Sequence, residues 1–282
     1  MIYRKILNVV IILLLSFTST GCAEKWTKSE KDTYDFSKVK GLLIYTNWEG
    51  YFASFPGDEI HIQIPVYDFS NELEVSSIKV ENFNLGKSHA SLEPSDHFDD
   101  FEYHILNVTL IPEKVGLHKL TNLSISIKTK NKVYHTKIGH WILDVQNKSL
   151  QNKALSVETG TAGTLIKLDH RDPGQLAHLT HEYDLLNKGS SPIYLKKVVI
   201  DDKHFRFNKP DISQKILPNK KITLKKDINM TTISQKNVQV QPKLYYDYHG
   251  KTYVLPLVTS IISTPIPFNE LKDILKKKNM LQ

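Results

Sequence analysis

Apolar and polar side chains alternate in short runs along most of the chain beyond residue 40, as they do in β-strands with one buried face. Clusters of Gly, Pro and Asn, which favour turns, separate these runs. The alternating apolar positions include Ile60, Ile62 and Ile64, then Leu123, Ile125 and Ile127, then Ile222 and Leu224, then Tyr253, Leu255 and Leu257. The predicted turns are Pro56-Gly57, Lys130-Asn131-Lys132, Pro173-Gly174, Pro218-Asn219 and His249-Gly250. The pattern predicts an all-β fold of the sandwich or barrel type.

The two halves of this pattern resemble each other. Pro56-Gly57 is followed by an alternating run that reaches Tyr67-Asp68, and Pro173-Gly174 is followed in the same order by Tyr183-Asp184. The spacing favours a tandem duplication of roughly 110 residues per copy, which is the size of one immunoglobulin-like sandwich. The stretch YDLLNKGSSPIYLKKVVI also resembles the strand–turn–strand segment of bacterial domains of that kind.

We therefore expect two tandem immunoglobulin-like β-sandwiches, joined by a short polar linker and followed by a helix. The helix is predicted because Leu271, Ile274 and Leu275 share one helical face. The predicted boundaries are 41–146 for the first sandwich, 147–156 for the linker, 157–264 for the second sandwich and 265–282 for the amphipathic C-terminal helix.

The N-terminal residues have the charged-then-apolar order of an export signal. Arg4 and Lys5 precede an almost wholly apolar run over 6–17, which is shorter than the roughly 20 residues that a transmembrane helix needs. Small residues then suit the narrow cleft of a signal peptidase. These predicted cleavage-recognition residues are Ser19, Thr20 and Gly21, and the next residue is Cys22.

This arrangement resembles the lipobox of bacterial lipoproteins, whose cysteine is alkylated by diacylglycerol after the signal is removed. The family usually places Leu, Val or Ile where this chain has Ser19. The resemblance implies a signal peptide over 1–21, a lipidated polar tether over 22–40 and a location at the extracytoplasmic face of the cell membrane. The alternative is an ordinary secretory signal in which Cys22 is incidental. Because Cys22 is the single cysteine, no internal disulfide forms.

Composition agrees with a globular exported chain. Hydrophobic residues make up 40% and charged residues 24%, close to the averages of soluble proteins. The net charge of +7 comes from scattered rather than clustered lysines. A solvated basic surface explains them, with attraction to anionic lipids as the alternative. Export argues against a nucleic-acid partner.

Enzyme motifs are missing from the sequence. Ser76 and Lys79 have the Ser-x-x-Lys spacing, but on a predicted strand residues three apart face opposite sides. There is no Gly-x-Ser-x-Gly, and GTAGT over 160–164 lacks the Gly-Lys-Ser/Thr of a phosphate-binding loop. We predict that the protein is not an enzyme and needs no cofactor.

Metal binding is the stronger competitor, because the chain has 12 histidines. His178 and His181 are three apart and His135 and His140 are five apart, so each pair is predicted to face opposite sides of a strand. We predict no metal site from these spacings, although a site assembled across the fold stays open. The acidic stretch EPSDHFDDFE is read as a solvated loop, with Ca²⁺ binding as the alternative; its acids are Glu93, Asp96, Asp99, Asp100 and Glu102.

Tyrosines near the last predicted turn form a candidate binding surface. Tyr246 and Tyr248 share a strand face, and exposed tyrosines make good contacts with peptides or glycans. A half-buried place on the sheet is the alternative for both. The loops over 54–58 and 169–174 are further candidate contact surfaces.

The predicted function is that of a membrane-anchored extracytoplasmic lipoprotein that acts as a non-catalytic binding or scaffold module. Its expected partners are the membrane, through a diacylglyceryl lipid on Cys22, and a protein or cell-envelope component. The alternative is an accessory protein for metal or small-ligand handling at the cell surface, and an extracellular hydrolase is the third hypothesis.

Overall fold

The computed structural model describes residues 36, 39–69, 74–98, 101–130, 132–165, 177–202, 205–207, 209–230, 237–263, 268–278 and 280. The chain divides into a large unit over Val39–Pro265 and a second unit that joins Met1–Lys38 with Ile266–Gln282. Within the described part of the chain, no helix has the length and apolar character needed to span a membrane.

In the described part of the large unit strands are the main secondary structure. The first half contains β1 Leu42–Ile44, β2 Trp48–Ser54, β3 Ile60–Asp68, β4 Val75–Glu81, β5 Gly86–Phe98, β6 Phe101–Pro112, β7 Gly116–Leu120, β8 Ser124–Thr129, β9 Val133–Lys137 and β10 His140–Val145. A 3₁₀ turn over Lys148–Leu150 follows. The second half contains β11 Leu155–Leu165, β12 Ala177–Asn187, β13 Ile193–Val199, β14 Phe205–Phe207, β15 Asp211–Ile216, β16 Lys221–Met230, β17 Asn237–Gln241, β18 Lys243–Tyr248, β19 Lys251–Pro256 and β20 Ser260–Ser263.

The strand order repeats between the halves. In the first half one sheet has the order β1-β3-β6-β5 and another has β4-β8-β9, and in the second half the orders are β11-β12-β16-β14 and β15-β13-β18-β19. In the first half these orders match the A-B-E-D and C-F-G sheets of immunoglobulin-like sandwiches, and in the second half β15 is an additional strand beside β13. The predicted all-β sandwich fold is confirmed.

A fifth sheet joins the two halves. Its order is β20-β17-β2-β10-β7, and β2 pairs in parallel with β10 on one side and with β17 on the other. Tyr51 and Ala53 of β2 belong to the core of the second half, whereas Phe52 packs on Trp141 with ring centroids 5.9 Å apart. This sheet combines strands that come before the predicted linker with strands that come after it. The division into domains at 41–146 and 157–264 therefore stays a prediction.

Several predicted turns are confirmed by their backbone geometry. In the Phe55–Asp58 turn Pro56 precedes Gly57, which has φ 89°, and Asn219 has φ 57° at the same position after Pro218. Both are type II turns, which require a positive φ at the third residue. His249 and Gly250 have φ 49° and 71°, as in the type I′ turn of a two-residue hairpin.

The alternating runs bury the predicted faces in β3 and β8. Ile60, Ile62 and Ile64 are buried, and so are Leu123, Ile125 and Ile127. In β19 the prediction was wrong in part, because Val254 is the buried residue while Tyr253 and Leu255 are half-buried.

The predicted match between Tyr67-Asp68 and Tyr183-Asp184 was also wrong, because the two pairs are one residue out of register. Asp68 and Tyr183 are buried, whereas Tyr67 and Asp184 are half-buried. A shift of one residue turns every side chain of a strand to the other face.

The smaller unit contains α1, the helix Phe268–Lys277. Leu271 and Leu275 are buried, and Ile274 is half-buried. The predicted C-terminal helix is therefore confirmed.

Candidate functional site

The residues of the predicted anchor lie outside the described part of the chain. These are Ser19, Thr20 and Gly21, predicted for signal cleavage, and Cys22, predicted for lipidation. Their roles stay predictions.

The two predicted binding tyrosines differ in exposure. Tyr246 is fully buried in the core of the second half, and its hydroxyl donates to Asn152 O at 3.1 Å. Tyr248 is half-buried, and its hydroxyl accepts a hydrogen bond from the backbone N–H of Ser190 at 3.1 Å. Burial removes Tyr246 from the predicted contact surface, and Tyr248 connects the 189–190 loop to the β18–β19 turn. Binding by Tyr248 stays a prediction.

An open groove of about 560 Å³ lies where the Phe55–Asp58 turn meets the linker and β19. Part of the 54–58 loop, predicted as a contact surface, therefore lines a concave site. The lining residues are Phe55, Asp58, Gln151, Asn152, Lys153, Leu155, Ser156, Val157, Lys188, Val254, Leu255 and Pro256.

Hydrogen bonds from backbone N–H groups connect the segments around this groove. Asn147 Oδ1 accepts from Ser149 N at 3.0 Å and begins the 3₁₀ turn, after which Gln151 forms a bridge with Val254. Lys188 N donates to Ala154 O at 2.7 Å, on the side where the linker enters β11. The linker is thus attached to the second half at several points.

The groove has a mixed lining. Leu155 and Val254 are buried beneath it, while Lys153 and Lys188 are exposed. Lys188 Nζ lies 2.9 Å from Glu158 Oε1, and its hydrogen bond lowers the pKa of that carboxyl group. An apolar base with polar groups around it is typical of sites that bind small molecules or peptide segments.

A second polar cluster lies between the halves, where Lys243 and Asp144 are buried and Asp201 is exposed. Lys243 Nζ donates to Asp144 Oδ2 at 2.5 Å and to Asp201 Oδ2 at 2.6 Å. Tyr51 Oη also donates to Asp144 Oδ2, at 2.5 Å. Burial alone would lower the pKa of Lys243, but hydrogen bonds and attraction from the two carboxylates outweigh it and raise the pKa. In this cluster the Lys243 ammonium group links one carboxylate from each half of the large unit.

A Ser–His pair, the arrangement that the hydrolase hypothesis requires, also occurs in the second half. His181 Nδ1 lies 2.8 Å from Ser260 Oγ and 2.9 Å from Tyr183 Oη. His181 is 0% and Ser260 3% exposed, so no substrate reaches either side chain in this arrangement. Burial lowers the pKa of His181 to about 4. The pair supports packing rather than nucleophilic attack, which needs access to the reacting atoms.

A cluster that the sequence analysis missed lies in the first half. Asp68, Glu102 and His104 each place one oxygen or nitrogen atom within 4.8 Å of the others. Asp68 and His104 are buried and Glu102 is half-buried. The sequence shows that Asp68 shares the buried face of β3 with Ile60, Ile62 and Ile64. It does not show that β3 pairs with β6, and this pairing places Asp68 beside Glu102 and His104.

Comparisons with known proteins leave the chain without a family. No protein-family profile matches the sequence, and no curated protein matches it. A protein of unknown function from Porphyromonas gingivalis W83 is 16% identical, with a TM-score of 0.24 over 77% of this chain and 97% of that one. The YadV chaperone is 8% identical, with a TM-score of 0.22 over 78% and 99%. For E. coli alpha-2-macroglobulin the identity is 10% and the TM-score 0.26, over 82% of this chain and 17% of that one.

Proposed function

We propose that this protein is a membrane-anchored extracytoplasmic lipoprotein that acts as a non-catalytic binding or scaffold module. The observation that carries the proposal is the position of Cys22, the single cysteine, directly after Ser19-Thr20-Gly21 and a short apolar run. An export signal with this ending places the cysteine at the new N-terminus.

The chemistry of the anchor follows from that position. The thiol of Cys22 loses its proton and displaces the headgroup phosphate of a membrane phospholipid, so that a C–O bond breaks and a thioether to diacylglycerol forms. Each methylene inserted in the bilayer then contributes about 0.8 kcal/mol. Two acyl chains hold a protein stably, whereas one chain is marginal. The folded body is then held on the outside of the cell.

The groove next to the linker supports the binding part of the proposal. It is concave, it has an apolar base, and its exposed lysines are Lys153 and Lys188. These features suit a short segment of a protein or cell-envelope partner. Handling of a metal ion or a small ligand remains the alternative function.

Anchoring is tested with the variant Cys22→Ser in intact cells. We expect the wild type to partition into detergent and the variant to be found in the medium or as an uncleaved precursor. Ser19→Leu is the matched control, because it installs the residue that lipoboxes usually have, and it should keep detergent partitioning. Unchanged processing and partitioning of Cys22→Ser would contradict the anchor.

Binding at the groove is tested with a photo-crosslinking amino acid placed at Val157. The control position is Val133, which is 45% exposed and does not line the groove. We expect a discrete crosslinked product from position 157 on intact cells and none from position 133. Equal labelling from both positions would contradict a binding groove.

A further inference from the structure

We propose that Asp68, Glu102 and His104 form a binding site for a divalent transition-metal ion such as Zn²⁺. This site goes beyond the proposed anchor and does not depend on it.

Strand register brings the three residues together. Asp68 lies directly opposite Glu102 in the β3–β6 pair, and His104 lies two residues from Glu102, opposite Val66. Residues two apart on a strand, and residues directly opposite each other, point to the same face of a sheet. All three ligand groups therefore occupy one face at one end of the sheet.

That face is the core-facing one. Along it the apolar pairs Ile62–Val108 and Ile64–Leu106 are followed by Val66 beside His104 and then by Asp68 beside Glu102. The apolar row ends in an imidazole and two carboxylates, of which His104 and Asp68 are buried and Glu102 is half-buried. Burying such groups is costly unless they are paired or coordinate a metal.

The distances fit a metal after a small adjustment. His104 Nε2 lies 3.3 Å from Glu102 Oε2. Ligands at the 2.0–2.2 Å typical of zinc are about 3.3 Å from each other in a tetrahedral site. The three ligand atoms lie within 4.8 Å of one another, so carboxylate rotations that move an oxygen by up to about 1.5 Å would complete this spacing.

Burial supplies the second argument. His104 is 7% exposed, and its Nε2 atom makes no hydrogen bond although it points toward the two carboxylates. The side chain of Glu102 is 38% exposed, so an ion has a path from solvent. Three protein ligands leave one position of a tetrahedral ion for water.

The ligand types select the kind of ion. Two carboxylates neutralise a divalent charge, and an imidazole nitrogen favours zinc and its neighbours over Ca²⁺ and Mg²⁺, which prefer oxygen ligands only. Glu102 belongs to the acidic stretch EPSDHFDDFE, for which Ca²⁺ binding was the alternative to a solvated loop. The imidazole of His104 makes a transition-metal ion the expected ligand instead of Ca²⁺.

The competing explanation is an ion pair between His104 and Glu102 without metal. The chain offers a matched control at the start of β3, because His61 Nε2 lies 3.6 Å from Glu59 Oε2 with side chains 64% and 56% exposed. His61 and Glu59 form an exposed His–carboxylate pair, and among the described residues no third metal-ligating group joins them.

The experiment uses the full chain, purified in detergent without a polyhistidine tag, and titrates it with ZnSO₄ by calorimetry. We expect one Zn²⁺ per chain in the wild type and in His61→Gln, and an affinity lowered by about 100-fold or more in His104→Gln. Co²⁺ in place of Zn²⁺ should give the visible absorption of a tetrahedral site in the wild type, and His104→Gln should lose it.

Glu102→Gln is the second variant, since its half-exposed position tolerates the change even where His104→Gln fails to fold. Loss of Zn²⁺ binding in folded Glu102→Gln supports the site. Equal Zn²⁺ affinity in the wild type and the folded cluster variants overturns the proposal, and so does displacement of Zn²⁺ by equimolar Ca²⁺.

Discussion

The ammonium nitrogen of Lys243 lies 2.5 Å from Asp144 Oδ2, and their side chains are only 3% and 8% exposed. Lys243 begins β18 and Asp144 lies in β10, so the pair connects strands from opposite sides of the predicted linker. Together with the parallel pairing of β2 and β17, it fixes the two halves of the large unit to each other.

We expect Lys243→Met to lower the free energy of unfolding by about 3 kcal/mol, because it leaves the Asp144 carboxylate buried without its cation. The matched control is Lys225→Met, which breaks the Lys225–Glu182 pair with side chains 66% and 38% exposed. The control should cost less than about 1 kcal/mol. Urea unfolding measures both, and equal losses would contradict a special role for the buried pair.

The central sheet gives a second prediction, at Gly50. A Cβ atom there would lie 2.5 Å from the Trp141 ring and 2.9 Å from Gln239 O. Gly50→Ala should therefore destabilise the protein by about 3 kcal/mol, as overpacking does. At Gly57, which has φ 89°, an added Cβ would have no atom within 4 Å. Gly57→Ala should therefore lower the free energy of unfolding only through backbone strain, by about 1 kcal/mol. A Gly50→Ala cost no greater than that of Gly57→Ala in thermal unfolding would contradict this packing.

His181 predicts a pH dependence of stability. Its pKa is lowered from 6.5 to about 4 by burial, so between these values the unfolded chain binds a proton that the folded chain excludes. The free energy of unfolding should fall as pH falls from 6.5 to about 4, by about 3 kcal/mol in total, and this loss should stop below the folded pKa.

The measurement compares urea unfolding of the wild type and of His181→Gln between pH 7.5 and 4.5. The variant lacks the ionisable group, so the difference between the two slopes isolates its contribution from that of the other histidines. Parallel curves would show that His181 titrates in the folded protein as it does in the unfolded one.

Alternation along the sequence was sufficient for much of the fold. It identified the buried row of β3, because one face of that strand meets a core and the other meets solvent. The Pro-Gly and Pro-Asn turns were predictable because a type II turn needs a residue that tolerates positive φ.

The central strand β2 could not be placed in this way. Both of its faces are buried, so its sequence WEGYFAS shows no alternation, and its partners β10 and β17 come from distant parts of the chain. Parallel strands buried on both faces lack the sequence signal that marks half-exposed strands.

The candidate sites were predictable only in part. Alternation correctly places Tyr246 and Tyr248 on one face, but it does not tell how deeply each is covered, and Tyr246 is fully buried. Residue spacing within one strand could not reveal the cluster of Asp68, Glu102 and His104. Asp68 lies on β3 and the other two residues on β6, so the pairing of the two strands brings them together. The predicted lipid anchor differs, because its sequence motif consists of consecutive residues within 1–22 and needs no tertiary structure to be recognised.

The most direct test of the central proposal is the mass of the N-terminal peptide from the mature protein, isolated from membranes of the producing cell. We predict a peptide that begins at Cys22 and carries the mass of a diacylglyceryl group on its sulfur. A peptide with an unmodified thiol at Cys22, or one that still contains the preceding signal residues, would contradict a lipid-anchored protein.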